Sequence, residues 1–80
     1  SNASRLIETS QSIYFQLAED EQNGIIQQLS HCLKQLQDLA QVDNSLKPMA
    51  EMLNNAQIQM DEAGIELRHY IDSMELDPQR

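Results

Sequence analysis

The sequence has little of what usually staples a small domain. It holds one cysteine, two glycines, two prolines and no tryptophan in 80 residues. One cysteine cannot close an internal disulfide, and no Cys/His cluster offers a structural metal site. Basic residues are as scarce: Arg5, Lys34, Lys47, Arg68 and Arg80 stand against thirteen acids, for a net charge of −8. DNA binding draws on neutralising phosphates with Lys and Arg, so direct nucleic-acid contact is excluded, and an anionic membrane surface with it. Tyr14, Phe15 and Tyr70 are too few for a base-stacking platform. No apolar run approaches the roughly 20 residues that span a bilayer, no signal peptide is visible, and no glycine-rich phosphate loop occurs. A lone cysteine fits a reducing, cytoplasmic compartment.

What is present is helix. Apolar residues make up 40% of the chain, too many for a disordered acidic tail. They recur at three- and four-residue spacing, and nothing alternates with period two. The expected fold is all-α: three helices over about 5–19, 25–41 and 45–75, an antiparallel bundle or coiled-coil segment with a long third helix. Ser1-Asn2-Ala3 read as a cloning scar, leaving 4–80 as a single helical segment of a larger protein.

In the first helix Ser4 is the expected N-cap. Leu6, Ile7, Ile13, Tyr14 and Leu17 form its stripe, with Ser10 on the same face. Asn23-Gly24 marks the turn that follows. The second helix carries Ile25, Ile26, Leu29, Cys32, Leu33, Leu36, Leu39 and Ala40, and its seam spacing reads 29, 32, 36, 39. The third starts with Ser45 as N-cap and Pro48 in the first turn, or with Asp43 as cap and a kink at Pro48. Its packing or partner stripe is Met49, Leu53, Ala56, Met60, Ala63, Leu67, Tyr70 and Met74, an unbroken heptad pattern. Gly64 sits at the stripe's edge, where a small residue permits close approach. Pro78 is expected to end the helix at Asp77.

The helix lengths do not match. At 1.5 Å per residue the third helix is about 45 Å long, nearly twice either of the others. Either helices 1 and 2 fold back as a pair and leave half of it bare, or they lie end to end along it. Self-association of the isolated chain is the expected substitute for a missing partner. Ile58, Ile65 and Leu76 lie away from the main stripe and mark a possible second partner face.

Three candidate chemistries compete with plainer readings. Glu66 and His69 form an E-x-x-H pair, but di-iron bundles need two such pairs and two further glutamates, and Gln28 precedes His31 where a glutamate is needed. No metal site is therefore expected. His31-Cys32-Leu33-Lys34 resembles part of the H-x-x-K-G motif of histidine phosphotransfer bundles, with Gln35 in place of the glycine. A stand-alone acidic adaptor or phosphotransfer bundle acting through His31 is the alternative function. Cys32, on the stripe, is expected to be a buried small hydrophobe. The methionines Met49, Met52, Met60 and Met74 read as core filler on the third helix.

The order of elements is more specific than any single motif. A short helix ends in the acidic run 19–23 before Gly24. A leucine-rich helix closes in Leu39-Ala40-Gln41-Val42-Asp43. A proline-started helix ends in E-L-R-H-Y-I-D-S-M-E-L-D-P-Q-R over 66–80. This resembles the RecN family of bacterial DNA repair proteins, SMC-like ATPases, over essentially the whole chain; family members often carry proline where Asn44 stands. The resemblance implies the ascending, N-terminal side of a long antiparallel helical arm. It implies a parent acting in double-strand break repair and recombination, associated with the nucleoid and able to cooperate with RecA. ATP and Mg would belong to the parent's head. A returning arm helix would lie on the third helix, and no catalytic or cofactor residue carries over to this chain.

Overall fold

A computed structural model describes residues 2–76; the stop at Asp77–Pro78 lies outside them. The described residues form a rod of 55 × 21 × 16 Å, the thickness of two helices. Helix α1 spans Asn2–Tyr14 and runs on as a π-helical turn, Phe15–Glu19. Helix α2 spans Ile25–Val42, a 3₁₀ turn covers Asn44–Leu46, and α3 spans Lys47–Leu76.

The two short helices lie end to end. Gln11 of α1 donates to Glu75 near the C-terminal end of α3 at 3.0 Å. Side chains of Leu17 and Ile26, on either side of the break, both face Gly64 midway along α3. Ala40 and Ala50 line one groove at the other end. Both α1 and α2 therefore run antiparallel to α3, and the molecule is a helical hairpin with one continuous and one interrupted strand. Of the two expected arrangements, this is the end-to-end one.

Each junction has a local cause. The first helix widens at its end, with the Asp20 N–H donating to the Phe15 carbonyl at 3.0 Å, an i→i+5 bond. Asp20 Oδ1 then accepts from the N–H groups of Gln22 and Asn23 at 3.1 and 3.0 Å, closing an Asx-type turn. Gly24 closes it further, donating to the Asp20 carbonyl at 2.8 Å, and its own carbonyl accepts from Gln28 to open α2. Its φ of −59° suits any residue. What demands glycine is space, because a Cβ there would lie 2.6 Å from the Asp20 carbonyl oxygen and against the Gln27 side chain. At the other junction, Asp43 accepts from the Ser45 N–H at 3.0 Å and from its hydroxyl at 2.8 Å. Asp43 is thus the cap, ahead of a 3₁₀ turn, and Ser45 is its partner. Two other expected boundaries move as well. Ser4 lies inside α1, so it does not cap it, and Asn2 and Ala3, read as a scar, form the first turn of that helix.

The core is thin. Among the described residues, the buried hydrophobic side chains are Leu33, Ala40, Ala50, Ile71 and Met74, with Ser10 buried beside them. Small and polar residues take seam positions on α3, where Gly64 is buried and Gln57 half-buried. The Gln57 Oε1 has no hydrogen-bond partner.

Two glycine substitutions should move stability in opposite directions. Gly64→Ala places a Cβ 3.8–3.9 Å from Ile26 and Leu17, ordinary contact. It should raise stability by about 0.5–1 kcal/mol by removing the helix-interior glycine penalty. Gly24→Ala should lower it by about 1–3 kcal/mol, the range for overpacking. Urea denaturation followed by circular dichroism reads both. The α2–α3 junction should also weaken in acid. Bonds from the Ser45 hydroxyl, then its N–H, hold the Asp43 pKa below the ordinary 3.8. Its contribution is whole above that value and is lost as pH falls through the lower folded-state value. Asp43→Asn should flatten that part of the pH–stability curve.

Candidate functional site

The burial pattern defines the seams directly. On α3 the covered positions are Ala50, Leu53, Gln57, Met60, Gly64, Leu67, Ile71 and Met74, spaced 3-4-3-4-3-4-3. On α2 they are Ile26, Leu29, Leu33, Leu36 and Ala40, and on α1 Ile7, Ser10, Tyr14 and Leu17. This is heptad packing in all three helices.

The seam differs from the stripe expected on α3 at every other position. Leu53, Met60, Leu67 and Met74 belong to both. Met49, Ala56 and Ala63 are exposed, and Tyr70 is half-buried; their places in the seam are taken by Ala50, Gln57, Gly64 and Ile71. Ile71 is fully buried. On α2 the seam is likewise rotated by one residue, so Cys32 is a free, exposed thiol, not the buried hydrophobe expected of it. Leu39 is 55% exposed. The apolar side chains mark a stripe wider than the contact, and the helices meet along one margin of it. Glycine and alanine at 64 and 50 allow a close approach there, a signal that hydropathy alone does not carry.

The chemistry-bearing residues stay apart. No three His, Cys, Asp or Glu side chains among the described residues converge as a metal site would require. His69 and Glu66 are both exposed, and on the next turn Arg68 pairs with Asp72 at 2.9 Å. The Arg68 guanidinium also lies over the Tyr14 ring, 5.7 Å from its centroid, tying α1 to α3. His31 is exposed on α2. Ile58, Ile65 and Leu76 are exposed at 58%, 52% and 87%. No described helix is long and apolar enough to cross a membrane.

Comparison with known proteins adds one consistent family. The chain is 42% identical over 57 residues to the DNA repair protein RecN of Vibrio cholerae, covering 71% of this chain and 10% of that protein. It is 44% identical over 46 residues to RecN of Synechocystis, covering 58% of this chain and 8% of that protein. Against RecN of Bacillus subtilis it is 30% identical over 80 residues, all of this chain and 14% of the relative. No family model and no solved structure matches. The chain thus spans about a tenth of the length of its curated relatives and is similar to one segment of them.

The revised seam is open to direct test. Ile71→Ala should cost about 2–5 kcal/mol of stability, the range for an emptied core position. Ile58→Ala, at an exposed site, should stay within about 0.5 kcal/mol. Paired thermal melts compare the two.

Proposed function

We propose that this RecN-type segment is a non-catalytic arm piece of an SMC-like repair ATPase, holding distance and direction between parts that do the chemistry. One observation carries the reading: the whole chain is similar to a segment of RecN, and its described residues form a helical rod 55 Å long, with one unbroken helix of 30 residues running along it. A two-helix rod is stiff along its axis and has no enclosed cavity. Its described residues do not fit ATP or Mg, since no three carboxylate or imidazole groups converge and the sequence has no phosphate loop. Nucleotide binding is assigned to a head elsewhere in the parent. The rest of the parent is proposed to return along the exposed Ile58 and Ile65, seven residues apart on α3. Cooperation with RecA is proposed for the parent, and a bacterial cytoplasmic, nucleoid-associated setting belongs to the same reading.

The −8 charge supports the division of labour, because such a surface repels the DNA that the parent is proposed to engage. A phosphotransfer bundle acting through His31 gains no support, since nothing restores the missing glycine at Gln35. The isolated chain should bind neither DNA nor ATP at physiological salt. Fluorescence anisotropy with a labelled duplex and a coupled ATPase assay check this. Micromolar duplex binding by the rod alone overturns the arm reading.

A further inference from the structure

The two long sides of the hairpin differ in chemistry. In an antiparallel pair, the residue just before each leading seam position on one helix faces its counterpart on the other, and the residues beyond the seam meet on the opposite side. The second side is polar and charged. Its grooves are lined by Lys34, Gln37, Lys47, Glu51, Asn54 and Asp61. Gln11, Arg68 and Glu75 continue it.

The first side is apolar from end to end. Leu6, Ile13, Ile25 and Leu39 edge it from the interrupted strand, each about half exposed. Met49, Ala56 and Ala63 edge it from α3, all exposed. Half-buried Leu29, Leu36, Leu53 and Met60 show between the two edges. Along the helices this side carries Glu66, with Arg5 beside Leu6 and Ile13 and Glu62 beside Ala63 at its margin, in a chain of thirteen acids and five bases.

We infer that this apolar side is the interface with a second copy of the chain, two hairpins stacking face to face into a four-helix bundle. Three observations favour a second copy. Two chains at −8 repel wherever their charges meet, and this side is where they can touch with the fewest like charges facing each other. A strip along a rod 55 Å long and 21 Å wide offers roughly 1,000 Å² per copy, a standard-sized interface when doubled. The five buried hydrophobic side chains are a slender core for 80 residues, and small domains of this kind are completed by oligomerisation. The pairing is isologous: small Ala56 and Ala63 occupy the middle of the α3 edge, where two backbones can come close, and larger side chains occupy the ends. The inference does not depend on the RecN reading.

Sedimentation equilibrium of the 80-residue chain tests it. The expected result is a dimer at high micromolar concentration. Leu39→Glu and Ala63→Glu, both at exposed positions, should weaken the dimer at least tenfold with helicity retained by circular dichroism. Asn54→Glu, in the polar grooves of the other side, should leave it intact. The wild-type Tm should rise with protein concentration, as mass action requires of a dimer. Labelling of Cys32 by a thiol reagent should slow over the same concentration range. If a glutamate variant loses its helix, the wild-type concentration dependence decides alone. A monomer whose Tm ignores concentration overturns the inference. So does a dimer lost in Asn54→Glu but kept in Ala63→Glu, which would assign the interface to the opposite side.

Discussion

The constraint that organises this molecule is the continuous seam of α3. Thirty residues of unbroken helix present one line of covered positions from Ala50 to Met74. No other helix is long enough to match that line alone, so two must share it. Sharing requires that both run in the same direction and that the chain step aside between them. The π-helical turn at 15–19 and the capped turn at 20–24 perform that step within ten residues. Asp20 is central, because its N–H, its carbonyl and its carboxylate each close a different part of the junction. Gly24 is then the residue whose missing side chain lets the backbone pass the Asp20 carbonyl.

Helix number, order and approximate length were legible from spacing alone, as was the long third helix. The α2 boundaries agree to within a residue. The starts of α1 and α3 were not, for local reasons. Ser4 looks like a cap, but the residues before it accept helical geometry equally well. Asp43 and Ser45 are both good caps, and only their mutual hydrogen bonds decide the order. The seam was half legible. Hydropathy identifies Leu53, Met60, Leu67 and Met74 but ranks Met49 above Ala50 and Ala63 above Gly64. At these two positions the fold buries the smaller residue, but it buries Gln57 over Ala56 and Leu33 over Cys32, so size alone does not set the seam. Cys32 was misplaced by the same one-residue rotation.

Similarity to RecN and the physical reading meet at one point. The rod's cavities are open surface grooves, and among the described residues no three acid, thiol or imidazole groups converge, so it has little to offer a small molecule. Its surface divides into a strongly charged side and a mostly apolar one. That division was present in the sequence as two apolar stripes that looked like intramolecular seams. The structure uses only one margin of each and leaves the other in solvent.

The break in the interrupted strand has a mechanical meaning. At the level of residues 20–24 only α3 crosses the rod as unbroken helix, whereas two helices cross it above and below. Bending stiffness rises steeply with cross-section, so this level is the most compliant point along the axis. Gly64 sits there, flanked by the side chains that end one short helix and begin the next. Force along the rod would be carried by α3 in tension, while a sideways load would flex it at this one section. The chain is thus two stiff beams joined by a leaf spring, with Gly64 at the joint.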